Sequence, residues 1–315
     1  MKLRLKAILK KKIISILRFA IDPIVEERMN NQLALRDQNL IEHFKLNLQN
    51  YTSRLEATEL IFELLRDANI VSVTKNMPTG FNLKLNTSSR LAHYVYANVF
   101  EEQLLDYSRS VLHEGDVFLD VGSNFGLYAV MGSLAVGKSG KVIAFEPTPD
   151  TIKQLNENLS LNNCTNVVVE PLAIGDSMGE VEFNQSTNGM DAWNSIVKLD
   201  ELSESVMTTV PITTLDNYID SHNVDPGNIK LIKIDVEGWE VPVIKGADRL
   251  LKNHSPILLV EFTDSNAKAA GYSCQELYKR IEELGYNWYE LKEGILVPSS
   301  IRTEYPYENL IALKD

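Results

Sequence analysis

The stretch "VFLDVGSNFGLYAV" (117–130) ends an apolar run on Asp120, then sets Gly122, Asn124 and Gly126 at the start of a segment with helical character. Glycines at a strand-to-helix turn permit positive φ and close backbone approach, and such turns cradle the polar parts of nucleotide-like ligands. A dinucleotide fingerprint requires G-x-G-x-x-G. Here Asn124 and Leu127 stand at its second and third glycine places, so the turn is tight without being built for a pyrophosphate. A carboxylate follows on the next apolar run: Glu146, with Pro147, closes "KVIAFEP". A third polar group, Lys233, Asp235 and Glu237 with Gly238, closes "IKLIKIDVEG".

Elements that can bring these groups together are visible in the periodicity. From about residue 97, strand-like runs alternate with amphipathic helical segments. Seven runs read as strands of one sheet: "DVFLDV", "KVIAFEP", "NVVVEPLAI", "IKLIKIDV", "PILLVEF", "NWYELK" and "NLIALK". Helices between the earlier ones imply right-handed βαβ units and parallel pairing. Only a loop separates the last two, which predicts antiparallel pairing. The expected fold is α/β, a seven-stranded mostly parallel sheet with helices on both faces. "VEFNQS" and "TTVPITT" read as an inserted β excursion, and Asp216 in "TTLDNY" as a helix N-cap. Residues 1–75 are expected to form an N-terminal helical extension and residues 76–315 one domain, with a short hairpin within "NMPTGFNLKLNTSS" (76–89).

In such sheets ligands bind beyond the carboxyl ends of the strands. There Glu146 can accept hydrogen bonds from two vicinal ribose hydroxyls. Asp120 repels a diphosphate but suits an ammonium and a sulfonium, so the cofactor indicated is S-adenosylmethionine. Each residue also has a plainer reading. Asp120 could cap the following turn, Glu146 could be a solvated strand-end acid, and Asp235 and Glu237 are types that start a helix.

The ordered set "FLDVGSNFGLYAV", "IAFEPTPDTIKQLNENLSLNN", "LAIGD", "TTLDNYI", "IKLIKIDVEGWEVPVIKGA" and "LLVEF" resembles the FkbM family of S-adenosylmethionine-dependent methyltransferases, of the Rossmann-like class I type. The resemblance covers about residues 97–265. It implies that Asp120 and Gly122 contact the methionine part, Asn124 and Gly126 shape the loop, and Glu146 holds the ribose. It places Pro147 and Thr148 along the adenosine and Leu172 and Ala173 beside the adenine. Glu101, in "FE", is implied to help close the cofactor site, although an acid on an amphipathic helix is equally an exposed one. Asp235, Glu237 and Lys233 are implied to face the transferred methyl and the acceptor, with Asp235 the candidate base and Glu237 orienting the acceptor or holding a cation. The implied reaction is O-methylation of a hydroxyl on a small molecule, sugar or glycan; a silent cofactor-binding module and an N-methyltransferase are the alternatives. Asn194 and Ser195 could line the acceptor pocket, and Trp193 and Trp239 could wall it or simply pack.

Composition narrows the partners. The net charge of −12 argues against a nucleic-acid binder. Histidines and cysteines lack metal-ligand spacing; Asp235 and Glu237 make an ion possible, but no ligand set demands one, and no metal site is assigned. Cys164 and Cys274 form no C-x-x-C pair, which predicts a reducing, cytoplasmic setting. The first 20 residues carry seven Lys or Arg and no acid, with an apolar stripe on one helical face. That segment is expected to dock on the domain or a second copy, or to lie on an anionic membrane surface.

Overall fold

The computed structural model describes residues 54–186, 194–197, 199 and 205–314. The chain divides into two compact units between Glu102 and Gln103. In the first, helix α1 (Arg54–Asp67) precedes strands β1 (Ser72–Asn76) and β2 (Asn82–Asn86), followed by helix α2 (Arg90–Tyr96). The strands pair as an antiparallel hairpin. Phe62 of α1 packs edge-on against His93 and Tyr96 of α2. The basic N-terminal segment lies outside the described residues, so its membrane and subunit expectations have no structural counterpart. No helix among the described residues is long and apolar enough to cross a membrane.

The second unit starts within α3 (Glu102–Val111) and is built on β3 (Val117–Val121), β4 (Lys141–Phe145), β5 (Val167–Glu170), β9 (Ile229–Ile234), β10 (Ile257–Phe262), β11 (Asn287–Lys292), β12 (Ile295–Pro298) and β13 (Glu308–Leu313). Their order across the sheet is β12-β11-β13-β10-β9-β3-β4-β5. From β10 to β5 every pairing is parallel, whereas β13 is antiparallel to β10 and to β11. The seven expected strands are all present. The eighth, β12, is a hairpin return from β11, through Glu293 and Gly294 at positive φ (50° and 77°). An acid-glycine pair between apolar runs was the available signal for it.

Alternation along the central strands separates two faces. Leu119, Val121, Ile143, Phe145, Ile232, Ile234, Val260 and Phe262 share one apolar cluster with α6 (Leu215–Ser221), α7 (Glu240–Gly246), α8 (Asp248–Asn253), α9 (Asp264–Ala269) and α10 (Cys274–Glu282). The opposite face takes α4 (Leu127–Val136), whose Gly132 lies so close to Phe118 that a Cβ would meet its ring at 2.4 Å. Helix α5 (Pro149–Leu161) follows β4. Helices therefore cover both faces, as expected.

Three local readings need correction. "NVVVEPLAI" is not one strand: it breaks after Glu170, and β6 (Ala173–Ile174) joins a separate three-stranded sheet with β7 (Gly179–Ser186) and β8 (Ser205–Thr213). Asp216 does not cap its own helix, where Thr214 accepts from the Asn217 N–H. Its carboxylate instead accepts from the N–H groups of Arg249 and Leu250 (2.8 and 2.9 Å), at the start of α8. The stretch "EVPVIKGADRLLKN", whose apolar spacing reads as one helix, is two, α7 and α8, broken at Ala247.

Candidate active site

Asp120, Lys233 and Glu261 lie on one sheet face. Asp120 is opposite Lys233 in the β3–β9 register, and Leu259, two before Glu261, is opposite Lys233 in the β9–β10 register. Side chains alternate along a strand, so Asp235 and Glu261 continue the same row. The strand ends thus gather at one end of the sheet what the chain separates by more than a hundred residues.

Gly122 joins the two halves of that edge. It adopts φ 86°, and a Cβ there would lie 1.8 Å from the carbonyl oxygen of Asp235. The close approach that demands glycine is therefore to the chain's own β9 loop. Asn124 also occupies the left-handed region (φ 46°), tolerated because its side-chain oxygen accepts from the Phe125 N–H at 2.7 Å. Gly126 (φ 93°) begins α4 against Leu155 of α5.

Glu146 is buried and ties this loop to the end of β4. One of its oxygens accepts from the Asn124 N–H (3.1 Å); the other accepts from the Thr148 N–H (3.0 Å) and the Thr148 hydroxyl. An ionised carboxylate has about four acceptor positions, so the protein itself fills three. Burial pushes the Glu146 carboxyl up, and these donors oppose the rise. Pro147 lies partly buried between Glu146 and the N-cap Thr148. Leu172 packs on the main core, and Ala173 is buried in β6 opposite Ile212.

Asp120 is 1% exposed, and among the described residues no donor meets either carboxylate oxygen with hydrogen-bond geometry. Burial pushes its pKa up to about 6, against the pull of the Lys233 charge and of the Ser123 hydroxyl and Ala129 N–H, which approach the carboxylate without reaching hydrogen-bond geometry. A buried carboxylate left without a donor is costly unless a ligand completes it. Lys233 binds Asp235 at 2.7 Å, its side chain 5% exposed, and lies under the Tyr128 ring.

Around that pair stand more acids than the sequence reading named. Asp235, Glu237 and Glu261 each offer an oxygen, all within 4.8 Å of one another. Glu261 accepts from the Thr263 hydroxyl (3.0 Å) and Glu237 from the Asn266 amide (2.7 Å). Burial first, then the neighbouring carboxylates, hold Glu237 and Glu261 well above the usual carboxylate range. The three oxygens could hold a divalent cation, a donor set that sequence spacing did not reveal because Glu261 comes from another strand. Neither Asp235 nor Glu237 caps α7, whose N-cap is Trp239.

Glu101 belongs to the first unit, with a left-handed backbone (φ 47°) just before α3. Asn194 accepts from the Ser186 N–H, and the Ser195 hydroxyl donates to the Glu237 carbonyl at 2.7 Å. Trp239 packs against the main core, whereas Trp193 lies outside the described residues.

The strand order with its ligand edge defines a Rossmann-like class I methyltransferase fold. The methyltransferase FkbM domain profile matches residues 120–287, and the chain belongs to that family. A hexuronic acid methyltransferase of Haloferax volcanii is 34% identical over 142 residues, covering 44% of this chain and 53% of the relative. Methyltransferase 1 of Beauveria bassiana is 22% identical over 206 residues, covering 60% and 81%. The crystal structure of an FkbM methyltransferase from Methylobacillus flagellatus superposes with a TM-score of 0.41 at 15% identity, over 70% of this chain and 54% of that one. The chain thus spans about half the length of the first and third of these proteins.

Proposed function

We propose that the protein transfers a methyl group from S-adenosylmethionine to a hydroxyl of a neutral sugar or glycan. The observation that carries this reading is the buried, donorless carboxylate of Asp120, set between the glycine loop and the Lys233–Asp235 pair. A cationic group fits it and an anionic one does not. Family membership supports the reaction class.

Asp120 and the Gly122–Gly126 loop would hold the amino-acid part of the cofactor, and Glu146 would accept from the ribose. With three acceptor positions filled, Glu146 has room for one ribose hydroxyl and takes a second only if the Thr148 hydroxyl turns away. Bound there, the cofactor supplies an electrophilic methyl on a sulfonium. Asp235 would accept the acceptor's proton, and Lys233 keeps that carboxylate oriented. Glu237 and Glu261, pushed toward their protonated forms, can donate as well as accept, which suits a sugar hydroxyl. Lys233 is the cation paired with this acidic group, so a second anion is poorly accommodated. The Haloferax relative is named for a hexuronic acid; this arrangement favours an uncharged acceptor instead.

The test is two measurements on the full-length protein. Calorimetry with S-adenosylmethionine should show saturable binding. Labelled-methyl transfer should then be compared across methyl glycosides of neutral hexoses, deoxyhexoses and glucuronic acid, with neutral acceptors expected to dominate. Binding without transfer to any acceptor would favour a silent cofactor-binding module. Preference for the uronate would overturn the acceptor assignment.

A further inference from the structure

We propose that Glu240 is a positioning residue for methyl transfer: its buried carboxylate folds the 236–238 turn so that the Glu237 carboxyl is held beside Asp235. The inference rests on the methyltransferase reading above and adds a residue to it.

Glu240 opens α7, where any acid is favoured by the helix dipole. That role requires no particular partners, yet Glu240 has three. One oxygen accepts from the N–H groups of Val236 (3.2 Å) and Gly238 (3.1 Å), and the other from the Tyr272 hydroxyl (2.8 Å). Burial and the Glu240 charge push the Tyr272 phenol upward, so it stays protonated and donates. The carboxylate therefore reaches back over the loop it follows and gathers two of its amides.

The gathered loop is strained. Glu237 sits at φ 52°, a region non-glycine residues seldom adopt, and Gly238 at φ 95°. A Cβ on Gly238 would lie 2.6 Å from the Asn266 carbonyl oxygen. Strain of this kind persists only where the surroundings over-determine it. Here they do: Ser195 donates to the Glu237 carbonyl, Asn266 to its carboxylate, and Glu240 holds the amides on either side. Relaxation of Glu237 to negative φ would turn its side chain out of the group it shares with Asp235 and Glu261. Ser195 and Asn266 grip Glu237 directly, but among the described residues only Glu240 accepts from both flanking amides, and it is itself fixed by the Tyr272 hydroxyl from the segment after α9.

The experiment uses the full-length protein, S-adenosylmethionine and the methyl glycoside that the wild type methylates best. Glu240→Ala should lower kcat by about 10²-fold, with cofactor Kd and acceptor KM changed by no more than about threefold. Glu240→Gln should keep kcat within about fivefold, because an amide oxygen still accepts both N–H groups and its NH₂ can donate to Tyr272. Tyr272→Phe should fall between them. Equal losses in the Gln and Ala variants would assign Glu240 a charge role and overturn positioning, as would a folded Glu240→Ala with wild-type kcat. If Glu240→Ala does not fold, Tyr272→Phe decides: an unchanged kcat overturns the proposal. A crystal structure of the Tyr272→Phe or Glu240→Ala protein with S-adenosylhomocysteine gives a readout independent of any acceptor. Glu237 should leave the left-handed region, and an unaltered turn would refute the inference. Wild-type protein that binds no S-adenosylmethionine sinks the methyltransferase reading instead, while the turn geometry still judges this one.

Discussion

Two acidic regions at the carboxyl end of the sheet treat charge in opposite ways. At the β4 end, a single carboxylate, Glu146, is buried with three donors supplied by Asn124 and Thr148. At the β9 and β10 end, Asp235, Glu237 and Glu261 bring their oxygens within 4.8 Å of one another, Glu240 lies beside them, and Lys233 pairs with Asp235. The first arrangement neutralises an acid with backbone dipoles and fixes a loop. The second keeps acids close together, and burial with the neighbouring charges raises the pKa of Glu237, Glu240 and Glu261. Perturbed groups of that kind mark places where a ligand or a proton is handled. In the proposed function the loop end is the holder and the acidic end the reaction site, with Gly122 touching both: its N–H donates to the Phe145 carbonyl, and its Cα faces the Asp235 carbonyl.

That junction is where the comparison breaks most completely. Gly122→Val puts a branched side chain at φ 86° and drives its Cβ into the Asp235 carbonyl. The left-handed conformation and the overlap together should cost about 3–5 kcal/mol in denaturant unfolding. A loss under about 1 kcal/mol would mean that the β3 and β9 loops separate freely and that the two ends are not mechanically joined.

Asp235→Asn sharpens the contrast at the acidic end. Methyl transfer should slow by about 10²-fold or more, with cofactor affinity little changed. The Lys233 ion pair adds a stability effect that sequence reasoning did not anticipate, since the buried ammonium loses its Asp235 partner at 2.7 Å. Thermal or chemical unfolding should show a loss of about 1–3 kcal/mol, softened because asparagine still accepts a hydrogen bond. Adding Lys233→Met should restore stability without restoring rate. Recovery of turnover in the double variant would show that Asp235 serves only to neutralise Lys233.

Glu146→Ala tests the holder. Cofactor binding by calorimetry should weaken by about 1.5–3 kcal/mol. Stability should fall too, because the Asn124 and Thr148 amides lose their acceptor. Unchanged affinity would move the ribose elsewhere.

The smallest effect is a pH dependence that links the ends through Asp120. Its pKa in the fold, about 6, lies above the ordinary 3.8, so the native protein binds a proton there more readily than the unfolded chain. This carboxyl therefore opposes folding above about pH 6, and the penalty fades as pH falls toward 4. A cation bound beside it favours the ionised form. Cofactor affinity should accordingly drop by up to about tenfold between pH 7 and pH 5, with a proton released on binding near pH 6. Asp120→Asn should flatten that profile and weaken binding at pH 7 while raising the stability of the free protein. A less stable Asp120→Asn protein would make Asp120 a structural residue.

Much of the holder is written in adjacent residues. The glycine turn lies within six positions of Asp120, and Glu146 closes the very next strand, so apolar runs and turn residues suffice to place both. Thr148, Asn124 and Gly126 follow from the same short stretches. Even the missed β12 had a local sign in Glu293–Gly294.

The acidic end is different in kind. Glu261 sits in "LLVEF" as one acid on an apolar strand, and nothing near it says that it faces Asp235; the β9–β10 register decides that. Glu240 reads as an ordinary first-turn acid until Tyr272, 32 residues later, is seen to bind it. Asp216 reads as a cap for its own helix but serves one 33 residues away. The amino-acid order by itself determined the strands, helices, glycine turn and strand-end acids, because these depend on period and local backbone preference. Which carboxylates meet, which lysine they share and which loop is strained came only with the tertiary structure, because parallel strands pair through long crossovers and their register is set by packing across the whole sheet.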